Sequence, residues 1–179
     1  MGMIRKKTFS NNTSIQEQDI DSAKKLLDFA EKNGFKCCPL EVEELTKSLG
    51  IEVRFEELKG DISGILQKND DKWVMRVNKK HPHRRRRYTI AHELGHYFLH
   101  RHQESYFEDV IFFRGLEPTR TEWQANEFAS EILMPESEFA KAIDDDGITS
   151  IEELSDRFKV SSMAIRVRAK QLGYAGHGL

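Results

Sequence analysis

Cysteine is almost absent from this 179-residue chain. The two that occur, Cys37 and Cys38, are adjacent. Such a pair cannot staple distant segments, so a disulfide-framed scaffold is excluded and a reducing cytoplasm is the expected compartment. A metal centre on the pair is not expected, because neighbouring side chains rarely converge on one ion. Long apolar runs are missing as well. None reaches about 18 residues, so no membrane span is expected. The opening segment MGMIRKKTFSNNTS has no hydrophobic stretch, so no signal peptide is expected. It also has no Ser or Thr at the position where a myristoylation signal expects one. Neither sign of charge is in excess: 28 basic and 30 acidic residues give a net charge of −2. Any nucleic-acid or membrane contact must therefore be local. With 38% apolar and 32% charged residues, the chain suffices for one substantial core with at most a small appendage.

Against this background one stretch stands out, Tyr88 to His102, YTIAHELGHYFLHRH. It contains His92-Glu93-Leu94-Gly95-His96, an HExxH pattern. Residues four apart on a helix share a face, so two imidazoles there can bind one cation. The adjacent Glu93 lies at the edge of that site, placed to take a proton from water. Ile90, Ala91, Leu94, Tyr97, Phe98 and Leu99 surround the polar residues, which predicts a buried helix. Buried imidazoles and a carboxyl need partners, and a metal ion supplies them.

A catalytic metal needs a third protein ligand. His100 is unsuited, because three histidines on consecutive turns form a line about 12 Å long at about 1.5 Å per residue. The spacing of His92, His96 and His102 is that of HExxHxxGxxH, but Leu99 stands where that motif has its glycine. A continuing helix would leave His102 on the wrong side of His96. Glu122 is the better candidate. Thr121 to Leu133 reads as a helix with Thr119 or Thr121 as cap and Pro135 beyond its end. At about 100° per residue, Glu122 and Asn126 fall beside the apolar stripe of Ala125, Phe128, Ala129, Ile132 and Leu133, whereas Glu127 and Glu131 point away. Ala125 and Ala129 permit close approach of another helix. Asn126 is placed to orient Glu122 or a histidine. Zinc is the default ion for such a set, with manganese and iron as alternatives.

The segment RRYTIAHELGHYFLH, followed by E-x-x-x-N-x-FA-x-x-ILMP, resembles the ImmA/IrrE metallopeptidases. The resemblance covers about Arg85 to Pro135, and the flanking elements also fit. It implies metal ligands at His92, His96 and Glu122 and a catalytic Glu93. It further implies a protein substrate, a helix-turn-helix repressor or an antitoxin-like partner. The Arg84–Arg87 run is heavier than this family leads one to expect.

Taken in order, residues 1–18 read as a flexible tail. Asp19 to Lys32 and Pro39 to Leu49 read as helices. Ile51 to Phe55, Ile62 to Gln67 and Trp73 to Val77 read as strands, with Asn69-Asp70-Asp71 as a hairpin turn. The expectation is an α+β, mainly helical, zincin-like domain with a small antiparallel three-stranded sheet. Its core spans residues 19–135, and helices over 136–179 pack on it. Either of the last two strands could offer an edge to an extended peptide. Gln103 to Pro118 reads as a loop with Tyr106, Phe107, Phe112 and Phe113. Tyr106, His100 and His102 compete for stabilising the oxyanion of peptide hydrolysis. The arginine run reads as solvated and partly paired with acids, with an acidic or nucleic-acid partner as the alternative. Ser150–Phe158 and Ser161–Leu172 resemble a helix-turn-helix carrying Arg166, Arg168 and Lys170.

The sequence thus points to a zinc-dependent endopeptidase. The alternative is a regulatory protein binding DNA or a repressor, with the metal structural or absent.

Overall fold

The structure is a computed structural model that describes residues 17–110 and 118–174. Most of the expected tail, together with Phe112 and Phe113, lies outside the described residues. Glu17, at its end, accepts a hydrogen bond from the Tyr97 hydroxyl and pairs with Arg101 at 3.4 Å.

Two helices lead, α1 (Ala23–Lys32) and α2 (Val42–Ser48). Helix α1 starts later than its pattern predicts. Ser22 caps it, its side chain accepting from the Lys25 amide, because a serine oxygen reaches the third helical amide well. Strands β1 (Glu52–Glu56), β2 (Ile62–Asn69) and β3 (Lys72–Asn78) follow. The β2–β3 hairpin closes at Asn69 and Lys72, with Asp70 at a φ of 52°, a left-handed conformation that Asp tolerates in tight turns.

The sheet corrects the three-stranded expectation. It has four strands in the order β1-β3-β2-β4, and β1 runs parallel to β3. The extra strand, β4 (Tyr106–Val110), pairs antiparallel with β2 and was hidden in the expected loop. Its five residues are too few for a strong period, and Asp109 occupies one of its inward positions. β2 and β3 are therefore the central strands; β1 and β4 are the edges.

Helix α3 (His83–His100) runs beneath this sheet. Gly64 of β2 faces it: a Cβ there would lie 2.5 Å from Thr89 Cγ2 and 2.6 Å from Glu93 Oε1. Leu66, Met75, Val77 and Phe107 share that sheet face by register and are buried. On the other side of α3 lies α4 (Arg120–Leu133), capped by Thr119. Then come α5 (Glu136–Ala140) with a π-helical turn to Asp145, α6 (Ile151–Phe158) and α7 (Ser162–Gln171). Phe139, Phe158 and Ile165 belong to the same hydrophobic cluster as Leu26, Leu66 and Leu94, so the last helices share the core of the first.

The arginine run binds these parts together. Arg84 pairs with Asp156 of α6. Arg85 donates to Ser63 at 3.2 Å, and Arg86 lies 5.3 Å over the Phe55 ring. Arg87 donates to the carbonyls of Leu40 at 2.9 Å and Lys159 at 3.2 Å. Among the described residues, then, these arginines fasten the start of α3 to the sheet and to the last helices. Most of their partners are neutral oxygens rather than the expected acids.

Candidate metal centre

The middle of α3 is buried, with His92, Glu93 and His96 at 2%, 0% and 1% exposure. Polar groups this deep carry a desolvation cost that something must offset.

Gly95 brings the partner helix in. A Cβ on Gly95 would lie 2.9 Å from Ala125 Cα and 3.0 Å from Ala125 O. With only hydrogen there, α4 comes close enough to deliver its first turn to the histidines. Glu122 occupies that turn, its amide donating to Thr119 Oγ1 at 3.3 Å. Glu122 Oε2 is 3.2 Å from His92 Nε2, and Oε1 is 3.2 Å from His96 Nε2. The two Nε2 atoms are 3.1 Å apart. Among the described residues, these three form the one group with metal-ligand geometry.

The donor set fits a small divalent cation. Bonds of about 2.0–2.1 Å in a tetrahedron give ligand–ligand edges of roughly 3.3 Å, close to those found. Glu122 Oε2 makes no hydrogen bond among the described residues despite its short approach to His92. Asn126 Oδ1 lies 3.2 Å from His92 Nδ1. That oxygen can only accept, so Nδ1 carries the hydrogen and a neutral His92 turns a bare Nε2 inward. Lone pairs facing one another at such distances repel unless positive charge lies among them.

Charge within the cluster follows the same logic. Burial works against a charged His92, but Glu122, with Asp109 and Glu93, outweighs it and raises His92 to about 9. Burial would raise Glu122, yet His92 and His96 hold it at about 2. Burial lowers His96, and the neighbouring His92 adds to this. A proton on His92 thus supplies positive charge that a cation would replace. Glu93 differs: burial lifts it to about 8, opposed by His92 and reinforced by Asp109 and Glu122. Neither Glu93 oxygen has a partner among the described residues, so its carboxyl is free to exchange a proton with a guest.

The structure gathers His92, Glu93, His96, Glu122 and Asn126 into one site. It does not gather the three oxyanion candidates. Tyr106 is 49% exposed and its hydroxyl donates to Glu108 Oε2 at 2.6 Å. It follows the strand alternation away from Phe107, which stacks on His96 at 4.6 Å. His102 is exposed, beyond the end of α3. His100 is buried behind His96, with its Nε2 3.2 Å from Gln124 Oε1. Sequence reasoning missed Gly64, Gly95, Asp109 and Gln124, and it placed Phe107 in a loop rather than on a strand over His96. Gly95 carried a usable signal, since glycine inside a helix costs about 1 kcal/mol against alanine and asks for a packing reason.

A small sheet over a helix bearing His92, Glu93 and His96, with the Glu122 carboxylate delivered from the next helix, brings together the donor types that a metal-dependent hydrolase uses. The peptidase family model described as the IrrE N-terminal-like domain matches residues 46–170, and the chain belongs to this family. It is also similar to the metallopeptidase ImmA of Bacillus subtilis (strain 168), at 30% identity over 116 residues. The match covers 64% of this chain and 66% of that protein.

Proposed function

We propose that this chain is a zinc-dependent endopeptidase acting in the cytoplasm on a protein regulator, a helix-turn-helix repressor or an antitoxin-like partner. His92, His96 and Glu122 would hold the ion, for which zinc suits the donors best and manganese or iron also serve. When bound, the ion supplies Lewis-acid chemistry, acidifying a water and polarising the scissile carbonyl. Glu93 accepts the proton of the attacking water and passes it to the leaving amine. Asn126 keeps the His92 ring in the donating orientation. Strand β4 supports the peptide reading. It is the sheet edge on the histidine side, and an extended substrate paired to it would run past the site. The expected edges, β2 and β3, are interior and cannot serve.

The observation that carries this reading is the convergence of three donor atoms from two helices beside a buried Glu93 that has no partner among the described residues. The regulatory DNA-binding alternative draws less support. Of its three basic residues, Arg168 is buried and donates to the Met134 carbonyl at 3.0 Å. The exposed face of α6 is acidic, with Glu152, Glu153 and Asp156. The deciding experiment incubates the zinc-loaded protein with a helix-turn-helix repressor as candidate substrate. Cleavage by the native chain, and its loss in Glu93→Gln with zinc retained, is expected. A Glu93→Gln variant that still cuts contradicts the mechanism.

A further inference from the structure

His96 has a neighbour that the chemistry above does not use. One turn further along α3, His100 is 3% exposed. Its Nδ1 lies 3.1 Å from His96 Nδ1, and its Nε2 lies 3.2 Å from Gln124 Oε1 on α4. The His96 and His100 ring centroids are 5.2 Å apart, and Phe107 stacks on His96 from the sheet side. Three side chains from two helices therefore make one continuous chain of polar atoms behind the site.

Hydrogen-bond arithmetic fixes its direction. The Gln124 oxygen can only accept, so His100 Nε2 carries the hydrogen. A neutral His100 then has a bare Nδ1. The single hydrogen between the two Nδ1 atoms must come from His96. His96 with its hydrogen on Nδ1 turns a bare Nε2 toward Glu122 and His92. Reversing the chain would place a hydrogen on His96 Nε2, where a ligand atom is needed.

We infer that Gln124, acting through His100, is a positioning residue that holds His96 in the tautomer able to bind the ion. This inference rests on the metallopeptidase reading. It gives His96 the support that Asn126 gives His92, with the His100 imidazole standing between the α4 amide and the ring it serves. Metal-bound histidines generally depend on such a partner, and losing it costs about 10–100-fold in metal affinity.

The test measures zinc affinity by chelator competition in the full chain and reads histidine tautomers by long-range proton–nitrogen NMR. In the zinc-loaded protein His100 should carry its hydrogen on Nε2. Gln124→Met should weaken zinc binding by about 10–100-fold, while Gln124→Glu, which can only accept, should bind as well as the native chain or better. His100→Phe should lose at least as much as Gln124→Met, and the double variant no more than His100→Phe alone. Equal urea midpoints of the chelated forms would establish that folding is not the cause. Equal losses in Gln124→Met and Gln124→Glu would overturn the inference, as would unchanged affinity in Gln124→Met. A hydrogen on His100 Nδ1 would overturn it without recourse to any variant. A native chain that takes up no zinc would overturn the metallopeptidase reading together with it.

Discussion

Gly95 of α3 and Ala125 of α4 touch so closely that a methyl group on Gly95 would lie 2.9 Å from the Ala125 Cα. This contact sets the separation of the two helices that supply the candidate ligands. Gly95→Ala therefore has no flexible side chain to push aside and must move backbone. The expected result is a stability loss of about 1–3 kcal/mol, as for overpacked cores, and metal affinity reduced by more than tenfold as Glu122 is carried away from the histidines. Urea unfolding and chelator competition measure the two effects.

Gly64 makes the complementary case. A methyl there would lie 2.6 Å from Glu93 Oε1 and 2.5 Å from Thr89 Cγ2. Gly64→Ala should displace the Glu93 carboxyl while leaving His92, His96 and Glu122 in place. Zinc should remain stoichiometric, and peptide cleavage should fall by about 10²-fold or more, the upper range for losing a positioned acid–base group being larger still. Full activity in this variant would show that the Glu93 position is not set by β2.

Glu93 also makes stability depend on pH in the metal-free form. Its carboxyl is raised from an ordinary 4.5 to about 8 by burial. A raised carboxyl favours the fold fully at low pH, and that contribution is lost as pH climbs from about 4.5 through about 8. Chelated native protein should therefore lose a few kcal/mol across this window relative to Glu93→Gln, which has no proton to lose. Urea midpoints at pH 5 and pH 8 for both proteins give the comparison. Parallel behaviour of the two would contradict the assignment.

Arg87 donates to the Leu40 and Lys159 carbonyls from near the start of α3. Arg87→Ala leaves those oxygens without this donor, and a cost of about 1–3 kcal/mol follows from the loss of charge-assisted hydrogen bonds. A basic face built for nucleic acid would give little change in stability and a salt-dependent loss of binding instead.

Much of the site could be read in the residues alone. His92 and His96 are marked by their spacing and by the apolar residues around them, while Glu122 and Asn126 are marked by angular position beside an apolar stripe. These depend on helix periodicity, which local sequence encodes strongly. The sheet was harder. β4 is five residues long, has an acid at an inward position, and gains its hydrogen bonds from β2, about forty residues earlier. The parallel pairing of β1 with β3 likewise depends on a connection that local pattern does not specify. The direction of the His100 ring was also illegible, because it is set by Gln124 on another helix. The first helix starts a few residues later than its apolar pattern, at the Ser22 cap.

The central claim is that His92 Nε2, His96 Nε2 and Glu122 surround one divalent ion. Anomalous diffraction at the zinc edge from crystals of the zinc-loaded full chain tests it directly. The account predicts one strong peak per chain, about 2.0–2.2 Å from each of those three side chains. A stoichiometric peak elsewhere, or one that Glu122 does not touch, would contradict it.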